Sequence, residues 1–267
     1  MVSRRGRLKA RIALVVSALF FLVAMVVLAL ALHFWRAANP DPAPLGLPER
    51  AQVPVSSEAG DDAFPTVDWA YWQGVNPDVI GWITIPGTDV DHPILQAHDA
   101  DKDYYLSHDV YGDYNPLGAI YLDAECEPLG LSSPNAVLLG HHTIGAEGVT
   151  GFGIIASYKD TDFAAAHSTV LIQTPTARLT YQVRFANIVK GWEPNKRTTF
   201  SGDADYREWY DSARDTATMV LDDTSEPTQT IALVSCSYNY WVKNERTVVT
   251  TSPDLPSTKA PSAQEAV

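Results

Sequence analysis

Between residues 79 and 251 the chain contains eight short β-rich runs, with Gly, Pro, Asp and Asn concentrated in the gaps between them. Apolar and polar residues alternate most clearly where Leu179, Tyr181, Val183 and Phe185 interleave with polar side chains. The eight runs are 79–85, 93–96, 119–122, 136–139, 169–173, 179–190, 230–235 and 247–251. Strands this short and this numerous favour a barrel or a sandwich, so we predict a mainly β domain.

Helices are predicted at three places around these strands. Residues 64–76 carry spaced aromatic and apolar side chains that suit an N-terminal helix laid against the body, and residues 152–158 suit a short insertion. A further helix, before the last pair of strands, starts near Asp203 or Asp205. Asp205 and Glu208, three residues apart, resemble a capping box at its beginning.

The N-terminal region contains an apolar run flanked by basic residues. Residues 12–32 are 21 residues without a charge, a length of about 31 Å as a helix, which matches the hydrocarbon core of a bilayer. Five basic residues precede the run, so its N-terminal flank is expected to stay in the cytoplasm. A cleaved signal peptide fits less well, because the run is long and is followed by bulky His33, Phe34 and Trp35.

These patterns divide the chain into four parts. Residues 1–36 are predicted to be a basic head with a signal-anchor transmembrane helix, and residues 37–63 a Pro-rich extracellular linker. Residues 64–251 are predicted to form the folded domain, and residues 252–267 a disordered tail rich in Pro, Ser and Ala. The expected location is the cell membrane, with a single span and the folded domain outside.

The distribution of charge argues against one class of partner. Six of the 19 basic residues lie in residues 1–36, which contain no acid, so the other 231 residues hold 13 basic against 32 acidic side chains. Because such an acidic body repels phosphate backbones, we predict no binding of nucleic acid.

Three residue types capable of acyl transfer lie at the ends of predicted strands. His141 and His142 follow one strand, Cys236 ends another, and Arg246 begins the next. A hairpin between the last two strands would place Cys236 and Arg246 at the same end of the sheet. A thiolate can act as nucleophile, an imidazolium can protonate a leaving amine, and a guanidinium can hydrogen-bond a developing oxyanion.

Simpler interpretations remain open for each of these residues. A cysteine ending an apolar strand is often a small core residue, and a lone arginine is often a solvated charge. The two histidines with Cys126 and His167 show no spacing typical of a zinc site, so we predict neither a metal nor a cofactor. The acidic neighbours of Cys126 are expected to raise its pKa, and a disulfide between Cys126 and Cys236 remains possible.

Taken together, the motifs resemble the sortases, cysteine transpeptidases of Gram-positive bacterial surfaces. The resemblance rests on Gly-His ending at His141, Leu-x-Ser-Cys ending at Cys236, Arg246 ten residues later, and GWITIPGT at residues 81–88. DYYL at residues 103–106, GAIYLD at residues 118–123 and the N-terminal anchor are most like class B members. The implied fold is the eight-stranded sortase-type β-barrel, and the resemblance covers residue 76 to about residue 249.

The resemblance also implies roles for individual residues. His141 would be the catalytic histidine, Cys236 the nucleophile and Arg246 the oxyanion donor, while a substrate groove would involve Leu106, Leu139 and Ser235. The implied activity is cleavage of a sorting motif of surface proteins between Thr and Gly or Asn, with transfer to an amine of a peptidoglycan precursor or a pilin. At Lys102, Leu139 and Val234 the sequence departs from the usual pattern of the family. These positions lie near the implied groove, so the departures bear on which sorting motif is recognised.

A rival function of another class is a non-catalytic extracellular β-domain for adhesion or sensing. The anchor, the linker and the acidic surface suit both functions equally well. The two are distinguished by whether His141, Cys236 and Arg246 converge, since a binding module gains nothing from that arrangement.

Overall fold

The computed structural model describes residues 63–145, 148–191, 196–222, 226–237 and 244–253, and positions 21, 24, 25, 28 and 30 of the apolar run. These five positions are helical and exposed, and they belong to a unit, Met1–Pro44, that is separate from the unit Leu45–Val267. A helix with the length and hydropathy of a membrane span is not found among the described residues. The rest of the predicted anchor, the linker up to residue 62 and the tail beyond residue 253 lie outside them.

Eleven strands form within the described residues, and all eight predicted runs are among them. They are β1 (Val79–Thr84), β2 (Asp91–Gln96), β3 (Tyr121–Leu122), β4 (Asn135–Gly140), β5 (Thr143–Gly145), β6 (Gly148–Thr150), β7 (Thr169–Gln173), β8 (Arg178–Lys190), β9 (Met219–Val220), β10 (Thr230–Ser237) and β11 (Glu245–Pro253). β11 continues to Pro253, past the predicted end of the domain, because Ser252 is buried and its hydroxyl accepts a hydrogen bond from Arg184 at 2.7 Å.

Eight of the strands close into a barrel, which confirms the predicted fold. Their order is β11-β10-β4-β3-β2-β1-β7-β8, and pairing of β8 with β11 completes the ring. β9 extends β8 as a ninth strand, and β5 and β6 form a separate hairpin. The pairs β4–β10 and β2–β3 are parallel, so the chain crosses between their ends rather than turning in a hairpin.

Both faces of the strands around β10 are buried, which explains why β10 is a continuous apolar run. Ile231 and Leu233 face the barrel core, whereas Ala232 and Val234 face an outer cluster. The buried members of this outer cluster are Trp72, Val79, Trp82, Leu95, Ala97, Tyr105, Val110, Tyr121, Ala124, Val137, Leu139, Ala232, Val234 and Val248. Side chains alternate along a strand, so Cys236 shares the outer face with Val234.

Helices form at the three predicted places, although α1 is shorter than the predicted 64–76, a further helix is present, and one helix begins differently. α1 (Trp69–Val75) is capped by Asp68, and a 3-10 helix occupies Gly151–Lys159, followed by α2 (Thr161–Ala166), which the sequence did not predict. α3 (Asp203–Asp215) begins after Gly202, so the capping box predicted at Asp205 is wrong. The Asp205 carboxylate instead reaches back and accepts from the Ser201 N–H at 2.8 Å.

The 3-10 helix packs against β10 and β11, and Gly140 at the end of β4 allows it to approach. A Cβ at Gly140 would lie 2.7 Å from both Cβ and Cδ1 of Phe152, a buried side chain at the start of the 3-10 helix. The glycine before His141 therefore serves packing of the barrel core.

We expect Gly140→Ala to destabilise the protein by about 1–3 kcal/mol, because overpacking forces the ring or its helix to move. Chemical denaturation of the full chain measures this change. Gly74→Ala is the matched control, since a Cβ at Gly74 meets no atom within 4 Å and alanine suits the last turn of α1. Equal unfolding midpoints for Gly140→Ala and the unmodified protein would contradict the packing role.

Candidate active site

Cys236 and Arg246 are directly opposite each other in the antiparallel pair of β10 and β11. Cβ atoms of such cross-strand partners on one face are about 4.5–5.5 Å apart, close enough for their side chains to interact. Both residues are half-buried. The guanidinium Nη1 of Arg246 donates to the Glu245 carbonyl oxygen at 2.9 Å. The register therefore places Cys236 and Arg246 side by side at the end of the sheet, as the hairpin predicts.

His141 reaches the same place from a distant part of the sequence. β4 runs parallel to β10, and Gly140 is opposite Ser235. The next residues of the two segments, His141 and Cys236, therefore leave this pair at neighbouring positions. His141 Nε2 lies 2.7 Å from the Leu106 carbonyl oxygen. Because a carbonyl oxygen can only accept, Nε2 carries the hydrogen, and Nδ1 of the neutral ring is left as an acceptor.

His142 makes a different contact, with the backbone of the cysteine. Its Nδ1 donates to the Cys236 carbonyl oxygen at 2.8 Å. This bond joins the loop after β4 to the end of β10 and supports the backbone that carries the thiol. The adjacent histidines thus use opposite ring nitrogens against two different carbonyl groups.

The inner side of this strand pair is polar and deeply buried. Ser237 Oγ donates to Glu245 Oε1 at 2.7 Å, and the two residues are opposite each other in the register. Ser235 and Thr247 form the pair two positions further along the strands, and they are 1% and 0% exposed. Among the described residues their hydroxyls have no hydrogen-bond partner. The hydrogen bond between Ser237 and Glu245 therefore links β10 and β11 at the end of the hairpin.

Tyr121 on β3 lies close enough to the site for Cys236 and Arg246 to influence its pKa. It is 3% exposed, and burial raises the pKa of its phenol. The charges of Asp103, Asp123 and Cys236 raise this pKa further, and Arg246 opposes them. Tyr121 therefore stays a neutral hydroxyl beside the thiol and the guanidinium. The sequence contains it within the GAIYLD motif, but only the pairing of β3 with β4 brings it near them.

Cys126 is a core residue in this structure. It is 1% exposed, its thiol contacts the Asn135 carbonyl oxygen at 3.8 Å, and both cysteines are free, so the possible disulfide is not formed. Burial raises the pKa of the Cys126 thiol, and the charges of Asp123 and Glu125 contribute less. The predicted increase in the pKa of Cys126 is correct, but burial rather than the acidic neighbours is its main cause.

The three residues predicted to bind substrate differ in their burial and in the face of the sheet on which they lie. Leu106 is half-buried at the edge of the outer cluster, and its carbonyl holds His141. Leu139 belongs to the outer cluster and is 5% exposed, whereas the Ser235 side chain faces the barrel interior. A role of these three residues in substrate binding stays a prediction.

The three converging groups have the chemistry of acyl transfer through a thioester. A thiol can act as a nucleophile, an imidazole as a proton carrier and a guanidinium as a donor for an oxyanion. Among the described residues no group of three or more His, Cys, Asp or Glu side chains is arranged to hold a metal ion. Sequence reasoning found the three groups but not their supports, namely the Leu106 carbonyl, the His142 bond to Cys236 and the Ser237–Glu245 pair, since none of these belongs to a short motif.

Comparisons with known proteins bear on the family and the fold of this chain. The family model described as "Sortase domain" matches residues 83–254. Sortase B of Staphylococcus aureus (strain NCTC 8325 / PS 47) is 27% identical over 179 residues, which are 66% of this chain and 70% of that protein. A solved Staphylococcus aureus sortase B–substrate complex superposes with a TM-score of 0.58 at 23% identity, over 69% of this chain and 83% of that one. A sortase B complexed with triglycine gives a TM-score of 0.59 at 25% identity, over 68% and 83% of the two chains.

Proposed function

Because the chain belongs to the sortase family and is a cysteine transpeptidase for the anchoring of surface proteins, we propose that Cys236, His141 and Arg246 carry out its reaction. The observation that supports these roles is the strand register, which pairs Cys236 with Arg246 and Ser235 with Gly140. A non-catalytic adhesion or sensing module has no physical reason to bring a thiol, an imidazole and a guanidinium together.

The first half of the proposed reaction forms a thioester. The Cys236 thiolate attacks the carbonyl carbon of the scissile peptide bond, and the oxygen of the tetrahedral intermediate takes the negative charge beside the Arg246 guanidinium. The His141 imidazolium then donates its proton to the leaving nitrogen as the C–N bond breaks. The products are a Cys236 acyl-enzyme, a neutral imidazole and the released C-terminal fragment with a new amine.

The second half transfers the acyl group to an acceptor amine. The amine nitrogen attacks the thioester carbon while the neutral His141 ring accepts a proton from it. The C–S bond breaks, and the Cys236 thiolate and the imidazolium are restored. The net result is one peptide bond broken and one amide bond formed, without an oxidant or a cofactor.

The proposal includes the substrates and the location. The donor would be a surface protein with a sorting motif cut between Thr and Gly or Asn, bound in a groove near Leu106, Leu139 and Ser235. The acceptor would be an amine of a peptidoglycan precursor or of a pilin. The apolar run at residues 12–32 would hold the enzyme in the cell membrane, with the catalytic domain outside.

Mass spectrometry of the full chain incubated with a library of sorting-motif peptides tests this function. With triglycine as the acceptor we expect a new amide at the cut site. Without an acceptor we expect slow hydrolysis through the same acyl-enzyme, trapped as a thioester on the peptide that contains Cys236. Triglycine is a suitable probe, because one solved sortase B is a complex with this tripeptide.

Two outcomes would contradict the proposal. One is attachment of the acyl fragment to any residue other than Cys236. The other is cleavage without an attached intermediate under single-turnover conditions, since a covalent route requires one.

A further inference from the structure

We infer that the Leu106 carbonyl and Gly118 form a positioning element that holds His141 with hydrogen on Nε2, so that Nδ1 exchanges the proton in acyl transfer. This inference rests on the proposed function and assigns the two ring nitrogens their roles. The contact that fixes the ring is the 2.7 Å bond from His141 Nε2 to the Leu106 carbonyl oxygen. Its effect depends on how firmly that oxygen is held.

The backbone around Leu106 is held by a short 3-10 helix, Tyr104–Leu106. The Leu106 N–H donates to the Asp103 carbonyl oxygen at 3.0 Å, and the Ala119 N–H donates to the Tyr105 carbonyl oxygen at 2.9 Å. The peptide group that precedes Leu106 therefore has fixed partners at both its N–H and its carbonyl, and the segment is tied to the chain that leads into β3.

The Tyr105 side chain anchors the same segment to the start of β1. It is 2% exposed, its hydroxyl donates to Asp78 Oδ2 at 2.6 Å, and it accepts from Asn76 Nδ2 at 3.1 Å. The other carboxylate oxygen of Asp78 pairs with His98 Nε2 at 3.0 Å. A buried ring with a fully bonded hydroxyl leaves residue 105 little freedom, and residue 106 follows it directly.

Gly118 completes the element from the other side. Its φ is +60°, and a Cβ there would lie 2.9 Å from the Leu106 carbonyl oxygen and closer still to the Tyr105 carbonyl oxygen. Both neighbours are backbone atoms, so no side-chain rotation relieves the overlap. Only glycine lets this turn press against the carbonyl that holds His141.

The positioning has a direct chemical consequence for the ring. A neutral imidazole has one hydrogen, and the carbonyl contact requires it on Nε2. Nδ1 is then the atom that takes and returns the proton. A tautomer with the hydrogen on Nδ1 would present no lone pair there and would place Nε2, an acceptor, against another acceptor.

Gly118→Ala tests the inference, with Gly130→Ala as the matched control. Gly130 has a φ of +59°, nearly the same as Gly118, but a Cβ at Gly130 meets no atom within 4 Å. Both variants therefore place an alanine at a positive φ with a similar free-energy cost. Only Gly118→Ala is expected to move the Leu106 carbonyl. We expect kcat of Gly118→Ala to fall about 10²-fold with KM changed less than about two-fold, which is the size of an impaired proton transfer, and Gly130→Ala to keep both constants.

Nitrogen NMR of the histidine rings supplies a readout that does not depend on activity. In the full chain in detergent, at a pH at which the rings are neutral, the His141 signal should be that of an Nε2–H tautomer. His142 should give the Nδ1–H signal, because its Nδ1 donates to the Cys236 carbonyl, and it serves as an internal reference. Loss of each signal in His141→Gln and His142→Gln assigns them. Gly118→Ala should mix the His141 tautomers.

Two results would overturn the inference. One is an Nδ1–H signal for His141 in the unmodified protein, which can be recorded even if Gly118→Ala fails to fold. The other is a folded Gly118→Ala whose kcat equals that of Gly130→Ala. Absence of any transfer by the unmodified protein would instead contradict the proposed function, and the tautomer measurement would still decide the positioning.

Discussion

Cys236→Ala is expected to abolish peptide cleavage and transfer, with a loss of at least about 10⁴-fold in kcat, because in the proposed reaction its sulfur forms the thioester. Its fold should change little. The residue is half-buried at the end of β10, and the substitution removes one sulfur atom, so the stability is expected to change by about 1 kcal/mol or less. Single-turnover cleavage and thermal unfolding of the same preparation measure the two effects.

Cys126→Ala is the matched control and should show the opposite pattern. Cys126 is 1% exposed within the barrel core, so its truncation should leave a small cavity and lower the stability by about 1–2 kcal/mol. Activity should be kept, because a buried thiol of raised pKa is a poor nucleophile. Equal loss of activity in both variants would contradict the assignment of the nucleophile to Cys236.

Arg246→Ala is expected to lower kcat by about 10²–10³-fold, the usual effect of removing an oxyanion donor. Arg246→Lys should also lose mainly kcat, since an ammonium keeps the charge but lacks the planar fork of donors. In the proposed reaction Arg246, opposite Cys236 in the strand register, stabilises charge that develops only in the transition state, so KM should change less.

The alternative for Arg246 is a structural contact at the base of the hairpin, since its Nη1 donates to the Glu245 carbonyl oxygen. A hydrogen bond of that kind would contribute about 1–3 kcal/mol to stability and leave the rate unchanged. Steady-state kinetics beside a thermal melt distinguishes the two roles. An unchanged kcat with a lowered melting temperature would leave His141 and Cys236 as the reacting pair and remove Arg246 from the site.

Local signals were enough for most of the fold. Each predicted β-run became a strand, because apolar content, alternation and turn residues act over a few neighbouring positions. The elements that the sequence missed are short, such as β9 with two residues and α2 with six. Asp205 resembles an N-cap in the sequence because it is a carboxylate near the helix start. The N–H group from which it accepts depends on the path of the chain before Asp203.

The sequence by itself determined the barrel strands, the three candidate reacting residues and the adjacency of Cys236 and Arg246, since a hairpin links residues ten positions apart. The tertiary structure alone decided that His141 stands beside them, through the parallel pairing of Gly140 with Ser235, 95 positions away. It also decided the supports of the site, namely the Leu106 carbonyl on His141, the His142 bond to Cys236 and the close approach of Gly118. The physical reason is that contacts between distant segments depend on how the barrel closes, and no local pattern of residues encodes that register.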